Sequence, residues 1–270
     1  MQRKSLGLCA AAALLAGCGG SQLAPAVPGT MPAARHSGSW MAPDAKSGDL
    51  LYITDTVTNE LYVFSYPKGT PKGAITGGLQ DPAGECVDKS GDVFVANTGA
   101  NNVYEYAHGG TSPIAVLNDP GYFPVGCSID PVTGNLAVTN FPVTSSLQGN
   151  VVIYKHAKGN PKGNYTSKIM NQMLLCSYDG SGNLFVDGLT KGSGFAFAEL
   201  RKGGTALTNV TLNQSIGNAG GVEWDGTYVA VGDQTTNTIY QFTISGKKGT
   251  VVGSTPLGGA SEVFQFWIDG

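Results

Sequence analysis

Few residues of this 270-residue chain have the types and spacing that chemistry requires. The five cysteines are Cys9, Cys18, Cys86, Cys127 and Cys176. No C-x-x-C pair occurs and the three histidines are isolated from one another, so we expect no zinc site. The sequence also lacks the G-x-S-x-G of a serine hydrolase and the H-E-x-x-H of a zinc protease. We therefore expect no metal, no cofactor, and binding rather than catalysis.

The first eighteen residues have the parts of a secretory signal. Arg3 and Lys4 precede an apolar run from Leu6 to Leu15, which is too short to remain as a helix across a bilayer. The block Leu15-Ala16-Gly17-Cys18 resembles the lipobox of bacterial lipoproteins, whose cysteine is acylated and becomes the first residue of the mature chain. An ordinary secretory peptide with an accidental cysteine is the alternative. The resemblance implies a signal peptide at 1–17, lipid attachment at Cys18, and anchoring in the bacterial cell envelope, periplasmic or at the outer-membrane surface.

Composition limits the partners and the organisation of the rest of the chain. The net charge is −3, and the basic residues are scattered rather than clustered, so nucleic-acid binding is not expected. Residues 18–46 are rich in Ala, Pro, Gly and Ser and predict a flexible tether, although Trp40 and Met41 are suited to dock on the following domain. We expect residues 47–270 to form one domain and the protein to be a monomer.

Glycines recur along the chain at a nearly constant interval, and each follows Ser, Thr or Asp: Gly48, Gly91, Gly134, Gly182, Gly226 and Gly270. The intervals between these positions are 43, 43, 48, 44 and 44 residues. Short β-type runs separated by turn residues fill each interval. Such a period is typical of a β-propeller with one four-stranded blade per repeat, and five repeats are present. A β-sandwich or jelly roll is the alternative, but neither needs a strict period.

The repeats resemble a known family. The run from Pro82 to Asn97, PAGECVDKSGDVFVAN, is similar to the core of NHL-type repeats, and residues 40–270 resemble bacterial six-bladed propeller lipoproteins of this kind. The resemblance implies that the P-x-G strand is innermost, so that the innermost strands centre on Cys86, Ser128, Ser177, Glu223, and Gln265 or Trp267. It also implies a six-bladed ring whose last blade is missing after Gly270. Closure as a five-bladed ring is the alternative.

The pairing of the cysteines stays open at the sequence level. Cys127 and Cys176 both lie three residues before the Asp that ends an innermost strand, whereas Cys86 lies two residues before Asp88. Equivalent positions on adjacent blades are expected to be too far apart for a disulfide. A Cys127–Cys176 bond and three small buried apolar residues are therefore the two possibilities, and the second is favoured.

Ligand-binding candidates fall in the channel and on the loops that lead into the innermost strands: Glu85, Tyr122, Phe123, Asn171, Gln172, Asn218, Glu223 and Gln265. Loops on a rigid scaffold concentrate binding residues, and aromatic rings beside amides suit a glycan, a peptide or a protein. The alternative is a hydrolase or lyase at the channel mouth. Gluconolactonase-type propellers, which resemble this architecture, hold a metal with several oxygen ligands, but the positions here equivalent to Glu85 are Cys127, Cys176 and Phe266.

Overall fold

The computed structural model describes residues 38–268. The predicted signal peptide, Cys18 and most of the predicted tether lie outside the described residues. The described chain is nearly all β-structure, with short 3₁₀ turns at Pro43–Lys46, Thr98–Ala100 and Lys155–Ala157. Within residues 38–268, none of the helices has the length and apolar character needed to cross a membrane.

The strands form five antiparallel sheets that follow one another along the chain. Blade 1 contains β1 (Trp40–Met41), β2 (Leu50–Asp55), β3 (Glu60–Ser65) and β4 (Pro71–Ile75). Blade 2 contains β5 (Pro82–Val87), β6 (Val93–Asn97), β7 (Asn102–Tyr106) and β8 (Pro113–Asn118), and blade 3 contains β9 (Tyr122–Ile129), β10 (Leu136–Pro142), β11 (Val151–Tyr154) and β12 (Gly163–Tyr165). Blade 4 contains β13 (Met170–Tyr178), β14 (Leu184–Thr190), β15 (Phe195–Leu200) and β16 (Thr208–Asn209). Blade 5 contains β17 (Thr211–Leu212), β18 (Ala219–Trp224), β19 (Val229–Asp233), β20 (Thr238–Ser245) and β21 (Lys248–Pro256), with β17 parallel to β21.

In blades 2 to 5, the recurring glycine lies in the turn between the innermost strand and the next strand. Asp88 Oδ1 accepts hydrogen bonds from the backbone N–H groups of Ser90 and Asp92 at 2.8 and 3.0 Å, and Gly91 has φ +82°. The pairs Asp130–Gly134, Asp179–Gly182 and Asp225–Gly226 form similar turns. An Asp side chain that binds its own backbone and a glycine with positive φ are what such a tight turn needs. The prediction of an all-β propeller with five repeats of four-stranded blades is confirmed.

The ring of blades closes at five. The segment 263–268 lies between the innermost strands of blades 5 and 2, where it fills the innermost position of blade 1. On one side, a Cβ placed on Gly220 of β18 would lie 2.5 Å from the Val263 carbonyl oxygen. On the other side, Gln265 Nε2 donates to the Glu85 carbonyl oxygen at 3.1 Å.

The expected six-bladed ring is therefore wrong for the described residues. Glycines of blade 5 make the closure possible, because Gly221 and Gly232 leave the space that the Phe266 ring fills, and a Cβ on either would lie 3.1 Å from that ring. Val263 and Phe266 are buried, as a closed ring requires.

The predicted tether ends earlier than expected. Trp40 and Met41 pair with Ala74 and Gly73 at the outer edge of blade 1, so the docking expected for this pair is observed. Ala45 is buried in the 3₁₀ turn that follows. Residues 40–46 therefore belong to the propeller rather than to the tether, because their apolar side chains cover the edge of β4.

The disulfide differs from both possibilities considered for the cysteines. Cys86 of β5 is bonded to Cys127 of β9, with their Cα atoms 5.7 Å apart, and Cys176 is a buried free thiol. The two bonded residues are not equivalent in their repeats: Cys86 pairs across its sheet with Phe94, whereas Cys127 pairs with Val138, the counterpart of Val95. This offset of one residue, together with the closeness of innermost strands near the axis, brings the two sulfur atoms together. The separation expected between equivalent positions on adjacent blades therefore does not apply to this pair of cysteines.

Candidate functional site

The two ends of the ring have different loops. We call the end where the innermost strands begin the upper face; it carries loops 76–81, 119–121, 166–169, 213–218 and 257–262 and turns 56–59, 98–101, 143–150, 191–194 and 234–237. The lower face carries the opposite turns, at 66–70, 88–92, 107–112, 130–135, 155–162, 179–183, 201–207, 225–228 and 246–247.

An apolar cluster lies on the innermost strands toward the upper face. It gathers residues of the innermost strands of all five blades: Ala83, Val125, Leu174, Leu175, Ala219 and Phe264. Phe141, Leu189 and Phe195 pack against it from neighbouring strands. In β5 this cluster lies on the upper-face side of Glu85, because Ala83 comes before Glu85 in the strand.

Glu85 lies at the joint between blades 1 and 2. The Thr54 hydroxyl of β2 contacts both the Glu85 carboxylate, at 3.1 Å, and the Ala83 carbonyl oxygen, and Gln265 binds the Glu85 backbone. Burial raises the pKa of Glu85 to about 8, against the opposing effect of the Thr54 hydrogen bond. The structure therefore brings Glu85 and Gln265 together, as part of the contacts that close the ring.

Glu223 lies at the joint between blades 4 and 5, away from Glu85 in the ring order. Burial raises the pKa of Glu223 to about 8. Beside it, Asp187 accepts the backbone N–H groups of Leu175 at 2.8 Å and Gly221 at 3.2 Å, and burial raises its pKa to about 7. Burial, Asp187 and Glu223 together raise the pKa of the Cys176 thiol well above its usual range. A nucleophilic cysteine needs the opposite shift, so this cluster is suited to holding blades together.

The raised carboxyl pKa values predict that the protein is more stable in mild acid. A carboxyl group whose pKa is higher in the folded than in the unfolded state contributes stability below the unfolded value, near 4, and that contribution is lost as the pH rises through the folded value. We expect the melting temperature to fall between about pH 5 and about pH 8, and to fall less in a Glu85→Gln/Glu223→Gln variant. Thermal unfolding over this pH series measures both. A melting temperature that rises toward pH 8 in the parent protein would contradict the assignment.

The predicted loop residues lie on the upper face but do not converge. Tyr122 and Phe123 begin β9, opposite Pro142 and Phe141. Asn218 is held in structural hydrogen bonds: its Nδ2 donates to Gln234 Oε1 at 3.0 Å and its Oδ1 accepts from the Ala219 N–H at 3.1 Å. These loop residues come from blades 3, 4 and 5, and the two glutamates lie farther along the innermost strands of blades 2 and 5, so the eight predicted residues do not form one site.

The upper face instead has a cleft between blades 3 and 4. Its volume is about 330 Å³, and it is lined by Gln148, Lys168, Ile169, Met170, Asn171, Thr190, Lys191 and Gly192. Exposed aliphatic side chains lie on two of the segments that form it: Ile169 is 43% exposed, Leu147 39% and Val143 36%. Of the predicted residues only Asn171 lines this cleft, and Gln172 is its neighbour in β13.

Side-chain and backbone hydrogen bonds hold the walls of the cleft in place. Gln148 Nε2 donates to the carbonyl oxygens of Met170, at 2.5 Å, and Ser167, while the Gly149 N–H donates to the Asn171 carbonyl at 2.8 Å. At the base of the same turn, Asn140 Nδ2 donates to both Asp119 Oδ2 and Asn150 Oδ1 at 2.8 Å. A flexible loop loses conformational entropy when it binds a ligand. A loop that is already held by such hydrogen bonds loses less, so the free-energy cost of binding is smaller.

The sequence analysis missed Lys168, Ile169 and Lys191. A signal was present, because Lys168 lies in the loop before the first strand of blade 4 and Lys191 in the turn after the second. Within residues 38–268, no group of three or more His, Cys, Asp or Glu side chains is arranged to hold a metal ion.

Comparison with known structures places the fold. A chain of the nidogen/laminin complex is similar, with a TM-score of 0.66 and 17% identity, over 83% of this chain and 81% of that chain. Hydrazine synthase of Kuenenia stuttgartiensis is similar with a TM-score of 0.63 and 18% identity, over 76% of this chain and 63% of that chain. Both have β-propeller folds. The fold is a β-propeller.

Sequence comparison adds no family to this result. No family model matches the chain, and no curated protein sequence matches it. At 17% and 18% identity, the two structural neighbours share the architecture of this chain, and function has to be argued from its own residues.

Proposed function

We propose that this protein is a membrane-anchored, extracytoplasmic binding module that holds a peptide, protein or glycan partner on the upper face of its propeller. The observation that carries the proposal is the contrast between the two candidate regions. The carboxylates of Glu85 and Asp187, on strands near the axis, are engaged in contacts between blades. The upper-face cleft is open, lined by mixed polar and apolar side chains, and held by fixed loops.

A protein or peptide partner has additional support. One of the two similar structures is a protein–protein complex, that of nidogen with laminin. The exposed side chains beside the cleft are aliphatic, as in Val143, Leu147 and Ile169, whereas sugar rings are usually bound against aromatic faces. An aliphatic peptide side chain fits such a flank better than a hydroxyl-rich sugar does.

The alternative function is a channel-mouth hydrolase or lyase that uses Glu85. The pKa of Glu85, about 8, is the observation in its favour, because it suits a general acid. The innermost residues at the same register as Glu85 are Cys127, Cys176 and Val222, which each pair with a valine of the second strand as Glu85 does. Across blades 2 to 5, Glu85 thus has no second carboxylate or amide at the same register, and the nearby Gln265 amide donates to its backbone.

Peptide and glycan arrays test the binding role. We expect the full-length protein, purified in detergent, to bind a restricted set of spots, and to lose them in a Val143→Asp/Leu147→Asp/Ile169→Asp variant of the upper face. The matched control is Val132→Asp, which changes an exposed valine of the lower face. Binding that is absent for the parent protein, or that is lost only in the control, would overturn the proposal.

The anchor is a separate part of the proposal. The Cys86–Cys127 disulfide supports a location outside the reducing cytoplasm, because disulfides persist mainly in oxidising compartments. Changing Cys18 to Ser is expected to release the protein from the membrane fraction or to leave an uncleaved precursor. A variant that fractionates and migrates like the parent protein would rule out lipid attachment at this residue.

A further inference from the structure

We propose that the cleft between blades 3 and 4 is a binding site for an acidic peptide segment that carries aliphatic side chains next to its carboxylates. This inference rests on the proposed binding role of the upper face and names the class of ligand. It is carried by three observations: the distribution of charge between the two faces, the state of two lysines, and the apolar flank beside them.

The upper face is acidic except at this cleft. Its loops and turns, with the strand ends next to them, carry the carboxylates of Asp55, Glu60, Asp81 and Glu262, and Asp119 and Asp233 are buried beneath them. The only basic side chains of the described upper face are Lys168 and Lys191, and both line the cleft. The other lysines of residues 38–268, and Arg201, lie in or next to the lower-face turns. An anionic ligand is therefore repelled by most of this face and attracted to one place on it.

The two lysines are available for a ligand. The ion pairs of the described chain are Lys72–Asp44 and Arg201–Glu199, so neither Lys168 nor Lys191 is paired with a carboxylate within residues 38–268. Both are exposed, and they come from different segments, the loop before β13 and the turn after β14. Two ammonium groups on separate walls can bind two carboxylates, or one carboxylate from both sides.

The apolar flank selects the ligand further. Ile169 lies between Lys168 and Met170 in the wall of the cleft, and Val143 and Leu147 are exposed in the turn whose Gln148 also lines it. A polyanion without apolar groups leaves these side chains in water. A segment with aliphatic side chains buries them, and each Å² of apolar surface buried contributes roughly 25 cal/mol. The combination of cations and aliphatic side chains therefore favours an acidic peptide over an anionic glycan.

Fluorescence anisotropy with defined probes tests the proposal. The probe is a fluorescein-labelled peptide in which glutamate and leucine alternate; the comparison probes alternate glutamate with serine and lysine with leucine, and polygalacturonate serves as the anionic glycan. We expect the full-length protein to bind the glutamate–leucine peptide about tenfold or more tightly than any comparison probe. Lys168→Glu/Lys191→Glu is expected to weaken this binding about tenfold or more, and Ile169→Ser to weaken it by a smaller factor.

The matched control is Lys158→Glu/Lys202→Glu, which reverses the charge of two lysines on the lower face and changes the net charge by the same amount. It is expected to leave the affinity within about twofold, since long-range attraction alone is screened by salt. Equal weakening by both pairs, equal binding of the glutamate–serine peptide, or tighter binding of polygalacturonate would each overturn the peptide assignment. If the arrays yield ligands that need Val143, Leu147 and Ile169 but not Lys168 and Lys191, this inference fails while the proposed function stands.

Discussion

Phe266→Ala is expected to lower the free energy of unfolding by about 3–5 kcal/mol, the usual cost of truncating a buried phenylalanine. Phe266 is 7% exposed and packs against Gly221 and Gly232 of blade 5 within the segment that closes the ring. The lost contacts join the closing segment to blade 5, so the ring is held less firmly and the variant is also expected to unfold with a broader transition. Chemical denaturation of the purified protein measures both changes.

The neighbouring aromatic residue is the matched control for this prediction. Trp267 is 50% exposed and contacts Tyr66 edge to face, with ring centroids 5.3 Å apart. We expect Trp267→Ala to cost only about 1 kcal/mol, as is usual for one aromatic pair. A Phe266→Ala variant as stable as the parent protein, or no more affected than Trp267→Ala, would contradict the closure of the ring by residues 263–268.

Removal of the Cys86–Cys127 disulfide is expected to have an effect of similar size. The bond joins residues 41 positions apart, and the loop-entropy relation gives about 4 kcal/mol for a loop of this length. For a domain of this size each kcal/mol corresponds to about 2–4 °C, so the melting temperature of a Cys86→Ala/Cys127→Ala variant should fall by about 8–16 °C. Differential scanning calorimetry of the parent protein and the variant measures this shift.

Reductant separates the disulfide from the loss of two side chains. Dithiothreitol is expected to lower the melting temperature of the parent protein and to leave that of the Cys86→Ala/Cys127→Ala variant unchanged. A Cys176→Ala variant should keep the response to reductant, because Cys176 is a free thiol. If Cys176→Ala removes the response instead, the pairing assigned to Cys86 and Cys127 is wrong.

Much of the fold could be predicted from the sequence because its determinants are local. An Asp whose side chain binds the next backbone N–H groups, followed by a glycine with positive φ, recurs at Gly91 and Gly182 and marks the first turn of a blade. The nearly constant spacing of these turns therefore allowed the repeats to be counted from the sequence. Local patterns also indicated that Trp40 and Met41 dock on the first blade.

Ring closure and cysteine pairing could not be predicted in the same way, because both depend on contacts between distant residues. The segment 263–268 lacks the P-x-G pattern, and only the space beside Gly221 and Gly232 explains its place in the ring. Cys86 and Cys127 are paired because neighbouring innermost strands meet at an offset of one residue. Repeat alignment compares equivalent positions and therefore misses such a pair.

The candidate site was predicted only in part. Glu85 lies on an innermost strand, and Gln265 lies in the segment beside it that is not a regular strand, but their contacts join blades, which a sequence pattern does not distinguish from ligand binding. Asn171 was named as a loop residue, and it lines the cleft. Lys168 and Lys191 are inconspicuous in sequence, since their significance lies in being the basic residues of an otherwise acidic face.

Hydrogen exchange of the full-length protein with and without an array-selected ligand is the most direct test of binding on the upper face. The account predicts that the ligand slows amide exchange in the segments that form the cleft: residues 143–150, 166–171 and 190–194. Exchange in the lower-face turns 88–92 and 225–228 should be unchanged. Protection confined to the lower-face turns would contradict binding on the upper face and place the ligand at the opposite end of the ring. Protection confined to the strands that carry Glu85 and Glu223 would contradict it as well and favour a site in the channel.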